Sequence, residues 1–242
     1  MCTVTYLPTR EGCYLTSNRD EQPKRKIALP PAIYAGPQYS LLYPKDAAAG
    51  GSWIAASQNG NAAVLLNGAF NPHIPNPPYS RSRGLVFLDI IGHPTPAAFF
   101  TLLNLQGIEP FTLVLFQQGK LYECRWDAVD KHCKALDATE PHIWSSATLY
   151  SPAIIQKRQS WFSQWLQQQP IYSAASILAF HQFAGDGDGN NDVLMNRNGL
   201  MQTVSITCMH ISKQACQMKY ADLLNEQQAE AALLFNYRMT AV

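Results

Sequence analysis

Short runs of apolar and β-branched residues alternate with turn residues through the first 70 positions. Thr3–Tyr6 and Tyr14–Thr16 favour strands, and Glu11-Gly12 between them is a turn signal, so the pattern predicts a β-hairpin. Antiparallel pairing sets the start of one strand beside the end of the other. Cys2 is therefore expected near Asn18-Arg19-Asp20-Glu21. Ser52–Ser57 and Ala62–Leu66 predict a second hairpin around Gln58-Asn59-Gly60. Phe111–Phe116 and Leu121–Trp126 predict a third, and His142–Ser146 a further short strand. Residues 22–50, punctuated by Pro30-Pro31, Gly36-Pro37 and Pro44, read as a long connection. Residues 69–83 are too rich in proline for regular structure. They are either a surface loop or a lid that carries Arg81 or Arg83 to an anionic group.

Helical periods interrupt this pattern. Gly84–Ile91 and Thr95–Asn104 read as helices with broad apolar faces. Ile154, Ile155, Arg158, Trp161, Phe162, Trp165 and Leu166 recur at helical spacing, with Ser151-Pro152 as cap and first turn. Ser173–Phe183 reads as another helix. Val193–Met195 and Leu200–Ile211 read as strands around an Asn198-Gly199 turn, and residues 222–236 as a last helix. No repeat or linker divides the chain, so one domain over 1–242 is expected. Its class is α+β, with two antiparallel sheets face to face and helices outside.

Composition narrows the function. The chain has 242 residues, 47% hydrophobic and 14% charged, with a formal net charge of +1. This suits a folded domain and argues against a general nucleic-acid or acidic-membrane binder. No apolar run is long enough to span a membrane, and no signal peptide is evident. Six cysteines without a C-x-x-C spacing point to a reducing cytoplasm rather than a disulfide framework or zinc site. The Gly185–Asp192 stretch resembles a calcium loop but lacks the required glycine and terminal glutamate. The histidines have no metal-binding spacing, so neither metal nor cofactor is expected.

The candidate chemistry centres on Cys2. Removal of Met1 would leave a thiol and a free α-amine on one residue. An α-amine titrates near about 7.7–8.0, so it can act as the base for its own thiol. Arg19 would raise the thiolate fraction, and Asp20 or Glu21 would orient the amine. Arg19 and Asp20 point to opposite faces of a regular strand. Both serve one site only if the strand ends or bulges there. The competing reading is a buried structural Cys2 beside a salt-bridged strand end.

Met1-Cys2-Thr3-Val4, Thr16-Ser17-Asn18-Arg19-Asp20-Glu21, Gly50-Gly51-Ser52-Trp53-Ile54-Ala55, Leu65-Leu66-Asn67-Gly68, Ser82-Arg83-Gly84 and Thr203-Val204-Ser205-Ile206-Thr207 occur in that order. Together they resemble the NRDE family, which includes the eukaryotic transport-and-Golgi-organisation protein. The resemblance runs to about residue 210. It implies a four-layer αββα sandwich of the N-terminal-nucleophile (Ntn) hydrolase type. It also implies a site of Cys2, Arg19, Asp20 and Asn67, the last resembling the oxyanion-binding asparagine of the cholylglycine and penicillin V acylase group. In that group Arg and Asp stand three residues apart, whereas here they are adjacent. A second oxyanion asparagine falls where this chain has Ser145 and Ser146. Glu21, Arg83 and Ser146 are the expected substrate contacts. The expected activity is hydrolysis of a non-peptide amide bond in a small molecule. The alternative is a non-catalytic carrier of a hydrophobic ligand, haem or an acyl lipid, as the family's eukaryotic members suggest.

Overall fold

The structure, a computed structural model, describes residues 3–169 and 171–236. Cys2 lies outside the described residues, as do Met1, Pro170 and 237–242. The chain opens with β1 (Thr3–Thr9), β2 (Gly12–Glu21), β3 (Leu29–Tyr34), β4 (Leu41–Lys45), β5 (Ile54–Ser57) and β6 (Ala62–Asn67). Next come α1 (Arg83–Ile91), α2 (Pro96–Leu102), β7 (Phe111–Gln117), β8 (Lys120–Trp126), β9 (Lys131–Leu136) and β10 (His142–Ser145). The last third holds α3 (Pro152–Gln168), α4 (Ala174–Phe183), β11 (Asn196–Arg197), β12 (Met201–Ser212), β13 (Ala215–Asp222) and β14 (Gln227–Leu234).

Two antiparallel sheets result. The first runs β10-β1-β2-β12-β13-β14, with β11 also paired to β12, and the second runs β3 to β9 in chain order. Alternation along each strand builds the layers. Val4 and Tyr6 of β1 face inward and pack with Leu15, Trp53, Ile54, Val64 and Met209 between the sheets. Leu7 faces outward and packs under α3 and α4 with Phe162, Ile177 and Phe180. The outer face of the second sheet packs Ala55, Leu65 and Leu113 against Phe87, Ile90 and Phe100 of α1 and α2. This is the expected α+β sandwich of four layers, αββα.

Local chemistry starts the helices where the sequence indicates. Ser82 and Ser151 accept from the backbone N–H of Leu85 and Ile154 to cap α1 and α3, and Ser173 and Ser176 form a capping box on α4. Such caps satisfy amides that have no partner inside the helix. The β1–β2 turn needs glycine at position 12. Its φ is +153°, and a Cβ there would lie 1.8 Å from the Ile211 carbonyl oxygen.

Four expectations are corrected. The 22–50 connection contains β3 and β4. Pro30 and Pro31 are tolerated because β3 is the edge of its sheet, where a missing N–H need break no ladder. The helix expected at 222–236 is instead the end of β13 and the whole of β14. Gln, Ala, Glu and Leu favour a helix, but Asp222 pairs with Gln227 and the ladder continues to Ala215–Leu234. Val193–Met195 is not a strand. Val193 is fixed by its N–H donating to the Ala184 carbonyl, and the short strand of that turn is β11. Neither β9 nor most of β13 is anticipated: β9 is largely exposed and polar and lacks an apolar stripe, whereas β13 carries a period-2 alternation in Cys216, Met218 and Tyr220 that sequence reasoning missed.

Candidate active site at the open end of the first hairpin

The tetrad Asn18-Arg19-Asp20-Glu21 closes β2, and its side chains divide between two layers. Asn18 faces outward toward α4. Its amide donates to the carbonyls of His181 (3.1 Å) and Val193 (2.8 Å). Its oxygen must then accept from His181 Nδ1 (2.6 Å). That fixes the tautomer, so His181 Nε2 accepts from the Thr5 hydroxyl (2.8 Å). Burial and then the nearby Arg158 cation hold the His181 pKa down at about 3, so the ring is neutral in this strut between strand and helix.

Asp20 faces the same way. One oxygen accepts from the Tyr150 hydroxyl (2.8 Å) and the other from the Thr203 hydroxyl (2.7 Å). The Tyr150 ring carries Arg158 at 3.6 Å and Arg197 at 5.3 Å from its centroid, a cation–π arrangement. Arg158 is fully buried. It donates to the Thr3 hydroxyl and to the carbonyls of Asn191 and Asp192.

Arg19 and Glu21 face inward, toward the second sheet. Arg19 is 6% exposed. Its guanidinium lies 3.2 Å from Asp46, 3.7 Å from Glu21 and 4.6 Å from the Trp53 ring centroid. Arg25 joins the same Asp46 oxygen at 2.9 Å. The other Asp46 oxygen accepts from the amides of Ala48 and Ala49. Burial pushes the Asp46 carboxyl up, but these amides and the two arginines outweigh it and hold the group below the usual carboxylate range. A bulge lies here, though on the neighbouring strand. β12 gains a residue between Thr203 and Ser205, which pair with Asp20 and Arg19. β2 itself runs regularly to Glu21, so Arg19 and Asp20 do point to opposite faces.

A cavity of about 520 Å³ opens in front of Arg19. Arg19, Glu21, Asn67 and Arg83 line it, so four of the expected site residues share one space, with Trp53 beside them. Four arginines and three carboxylates stand around it: Arg19, Arg25, Arg81 and Arg83 with Glu21, Asp46 and Glu109. Asn67 ends β6. Arg83 opens α1, donating to the Pro110 carbonyl (3.1 Å) and pairing with Glu109 (3.0 Å). Burial lowers the Arg83 pKa, with Glu109 opposing. His73 holds the other Glu109 oxygen at 3.0 Å.

Ser146 and Asp20 lie elsewhere. The Ser146 hydroxyl is buried and donates to the Asn67 carbonyl (2.9 Å), with Thr148 at 2.8 Å. It supports Asn67 from behind, in a narrow cleft that Asn67 also lines. Sequence reasoning missed Asp46, Trp53, Tyr150, Arg158, Thr203 and Glu109. Trp53 and Thr203 stand in the ordered motifs and Arg158 is a cation on the apolar stripe of its helix, whereas Asp46, Tyr150 and Glu109 carry no local signal. Among the described residues no group of three or more His, Cys, Asp or Glu side chains could hold a metal. In the 185–192 loop Asp186 pairs with Lys157, Asp188 accepts from Asn191 and Asp192 accepts from the Asp186 amide. No described helix is long and apolar enough to cross a membrane.

Residues 1–231 match the family described as Transport and Golgi organisation 2. Comparison with curated proteins returned no match. Solved structures share the fold. An N-acylethanolamine-hydrolyzing acid amidase ortholog from Caenorhabditis elegans is 15% identical with a TM-score of 0.58, covering 86% of this chain and 92% of that chain. Penicillin V acylase from Agrobacterium tumefaciens is 11% identical with a TM-score of 0.51, covering 95% and 85%. A mutant conjugated bile acid hydrolase from Clostridium perfringens is 11% identical with a TM-score of 0.52, covering 100% and 99%. The architecture is thus that of the Ntn hydrolases.

Proposed function

The chain belongs to the Transport and Golgi organisation 2 family, and on that premise we propose that it hydrolyses a non-peptide amide bond of a polar small molecule in the cytoplasm, with Cys2 as nucleophile. The observation that carries this reading is the β1–β2 register. Thr3, the residue covalently next to Cys2, pairs with Asn18, and Arg19 is the next residue of β2. One peptide unit keeps the Cys2 α-carbon within about 3.8 Å of that of Thr3. The start of β1 therefore adjoins the buried Arg19 guanidinium and the cavity in front of it.

The proposed chemistry uses Cys2 with the residues of that cavity and of the strand end behind it. After Met1 is removed, the Cys2 α-amine takes the thiol proton and the sulfur attacks the amide carbonyl. Arg19 stabilises the thiolate. Asn67 donates to the developing oxyanion, a contact of the kind worth roughly 3–4 kcal/mol. The amine proton passes to the leaving nitrogen. Water then attacks the thioester, returns a proton to sulfur and releases the acid. Asp20, held at both oxygens by Tyr150 and Thr203, orients the α-amine from the far face of β2. Glu21 and Arg83 contact the substrate across the cavity, and Ser146 keeps Asn67 in place.

The cavity wall also speaks to the kind of substrate. Four guanidinium groups and three carboxylates favour a charged or strongly polar molecule over haem or an acyl lipid. The test is intact mass spectrometry of the natively expressed protein, followed by an amide library with wild type and Cys2→Ala. We expect Met1 to be absent, a transient acyl adduct on Cys2, and no turnover by Cys2→Ala. Met1 retained on folded protein, or turnover by Cys2→Ala, overturns the reading. Saturable haem binding by the same protein would then favour the carrier.

A further inference from the structure

Cys124 of β8 and Cys133 of β9 are direct partners across the ladder. The strands meet at a turn in which the Asp127 N–H donates to the Asp130 carbonyl at 3.2 Å, so 127 and 130 form a hydrogen-bonded pair. Such pairs alternate with non-hydrogen-bonded ones along an antiparallel ladder. Three steps further, Cys124 and Cys133 occupy a non-hydrogen-bonded pair. Their α-carbons then stand about 4.5 Å apart, with side chains leaning together, a spacing that a disulfide spans. The two sulfurs are in contact at 2.8 Å.

The two thiols differ in access. Cys124 is fully buried in the core under α1 and α2, while Cys133 is exposed. Either S–H can donate to the other sulfur; once Cys133 is the thiolate, Cys124 must be the donor, and that contact holds the Cys133 thiol below its ordinary pKa and raises that of Cys124. The other described cysteines contrast with this pair. Cys13, Cys208 and Cys216 are buried, and burial raises each thiol, to about 12 for Cys13 and about 11 for Cys208.

We propose that Cys124 and Cys133 form a redox-active cross-strand dithiol, a modification site closed by low-molecular-weight disulfides of the glutathione class. Cys133 thiolate attacks one sulfur of the oxidised disulfide, forming a mixed disulfide and releasing one thiolate. Cys124 gives up its proton and attacks the Cys133 sulfur, expelling the second thiol. The protein sulfurs lose two electrons in total and the small disulfide gains them. A cytoplasmic disulfide of this kind is transient rather than structural. Its partners on β8 reach toward the candidate site: Arg125 donates to the Ala69 carbonyl, two residues beyond Asn67, and Glu123 accepts from Trp144 of β10 (2.7 Å).

The test is treatment of the full-length reduced protein with glutathione disulfide, read by intact mass and by peptide mapping, which separates this pair from Cys2. We expect loss of two hydrogen atoms, mapped to a Cys124–Cys133 link and reversed by dithiothreitol. Alkylation of Cys133 should fall by about tenfold or more once the pair is closed, as expected when no thiolate is left to react. Cys124→Ser should hold one glutathione stably on Cys133. A wild-type protein that keeps glutathione on Cys133 with Cys124 still free, or that leaves both thiols unmodified, overturns the proposal.

Discussion

Arg158 and His181 are fully buried and brace the outer face of β2. The Arg158 guanidinium satisfies the Thr3 hydroxyl and two loop carbonyls. Replacing it with methionine keeps much of the bulk and leaves those acceptors without a donor. Arg158→Met should therefore cost about 3 kcal/mol in urea denaturation. His181 behaves differently, because its folded pKa of about 3 lies below the unfolded value. Between those values the unfolded chain binds more protons, so stability is complete above about pH 6.5 and declines as pH falls. The loss between pH 7 and pH 5 should be about 2 kcal/mol, measured by denaturant titration, and His181→Gln should flatten it. At Arg19 the expectation is kinetic. Arg19→Met should slow alkylation of Cys2 by about tenfold near neutral pH, if the cation raises the thiolate fraction. An unchanged rate would remove Arg19 from the proposed chemistry.

Among the elements, α1 depends on a close approach that only glycine permits. A Cβ on Gly51 would lie 2.4 Å from the Gly84 carbonyl carbon, and one on Gly84 would lie 2.9 Å from the Ser52 oxygen. The helix start that carries Arg83 thus rests directly on the turn that carries Trp53. Gly51→Ala should cost about 1–3 kcal/mol by overpacking. It should also shift the melting temperature downward more than the same change at Gly189, which has nothing within 4 Å and no positive φ. The same scale explains what the chain discloses in advance. The β1–β2, β5–β6 and β7–β8 hairpins and all four helices were legible, because period and turn chemistry agree there. The strands β3, β9 and β14 are edges or near-edges, and their pairing is imposed by neighbours rather than by an apolar stripe. Motif order singled out Arg19, Asn67 and Arg83, which line one cavity. Asp46 beside Arg19, Glu109 beside Arg83 and Tyr150 beside Asp20 were not legible, since long-range contacts leave no local spacing.

At the scale of the molecule, polar ties join the two sheets, one of them at the cavity. Arg19 of the first sheet meets Asp46, just beyond β4 of the second, and Glu123 of β8 meets Trp144 of β10. Burial raises the Glu123 carboxyl, but Arg125 and Trp144 outweigh it, so Glu123, like Asp46, sits below its ordinary range. A depressed carboxyl stabilises the fold above its unfolded pKa and loses that contribution as pH falls through the folded value. Acid unfolding should therefore steepen below about pH 4, where the loss from these carboxylates adds to the His181 decline that continues to about pH 3. Asp46→Asn should weaken that steepening while leaving the loss between pH 7 and 5 intact, as followed by tryptophan fluorescence. The alternating assignment of Asn18 and Asp20 to one layer, and of Arg19 and Glu21 to the other, has a consequence for how such a chain can change length. Inserting or deleting one residue before Asn18 in β2 would exchange the surroundings of all four side chains at once. β12 already holds slack at Val204. Single-residue indels should therefore be lethal to folding in β2 and survivable at Val204, which a library of one-codon deletions scored for soluble expression would reveal.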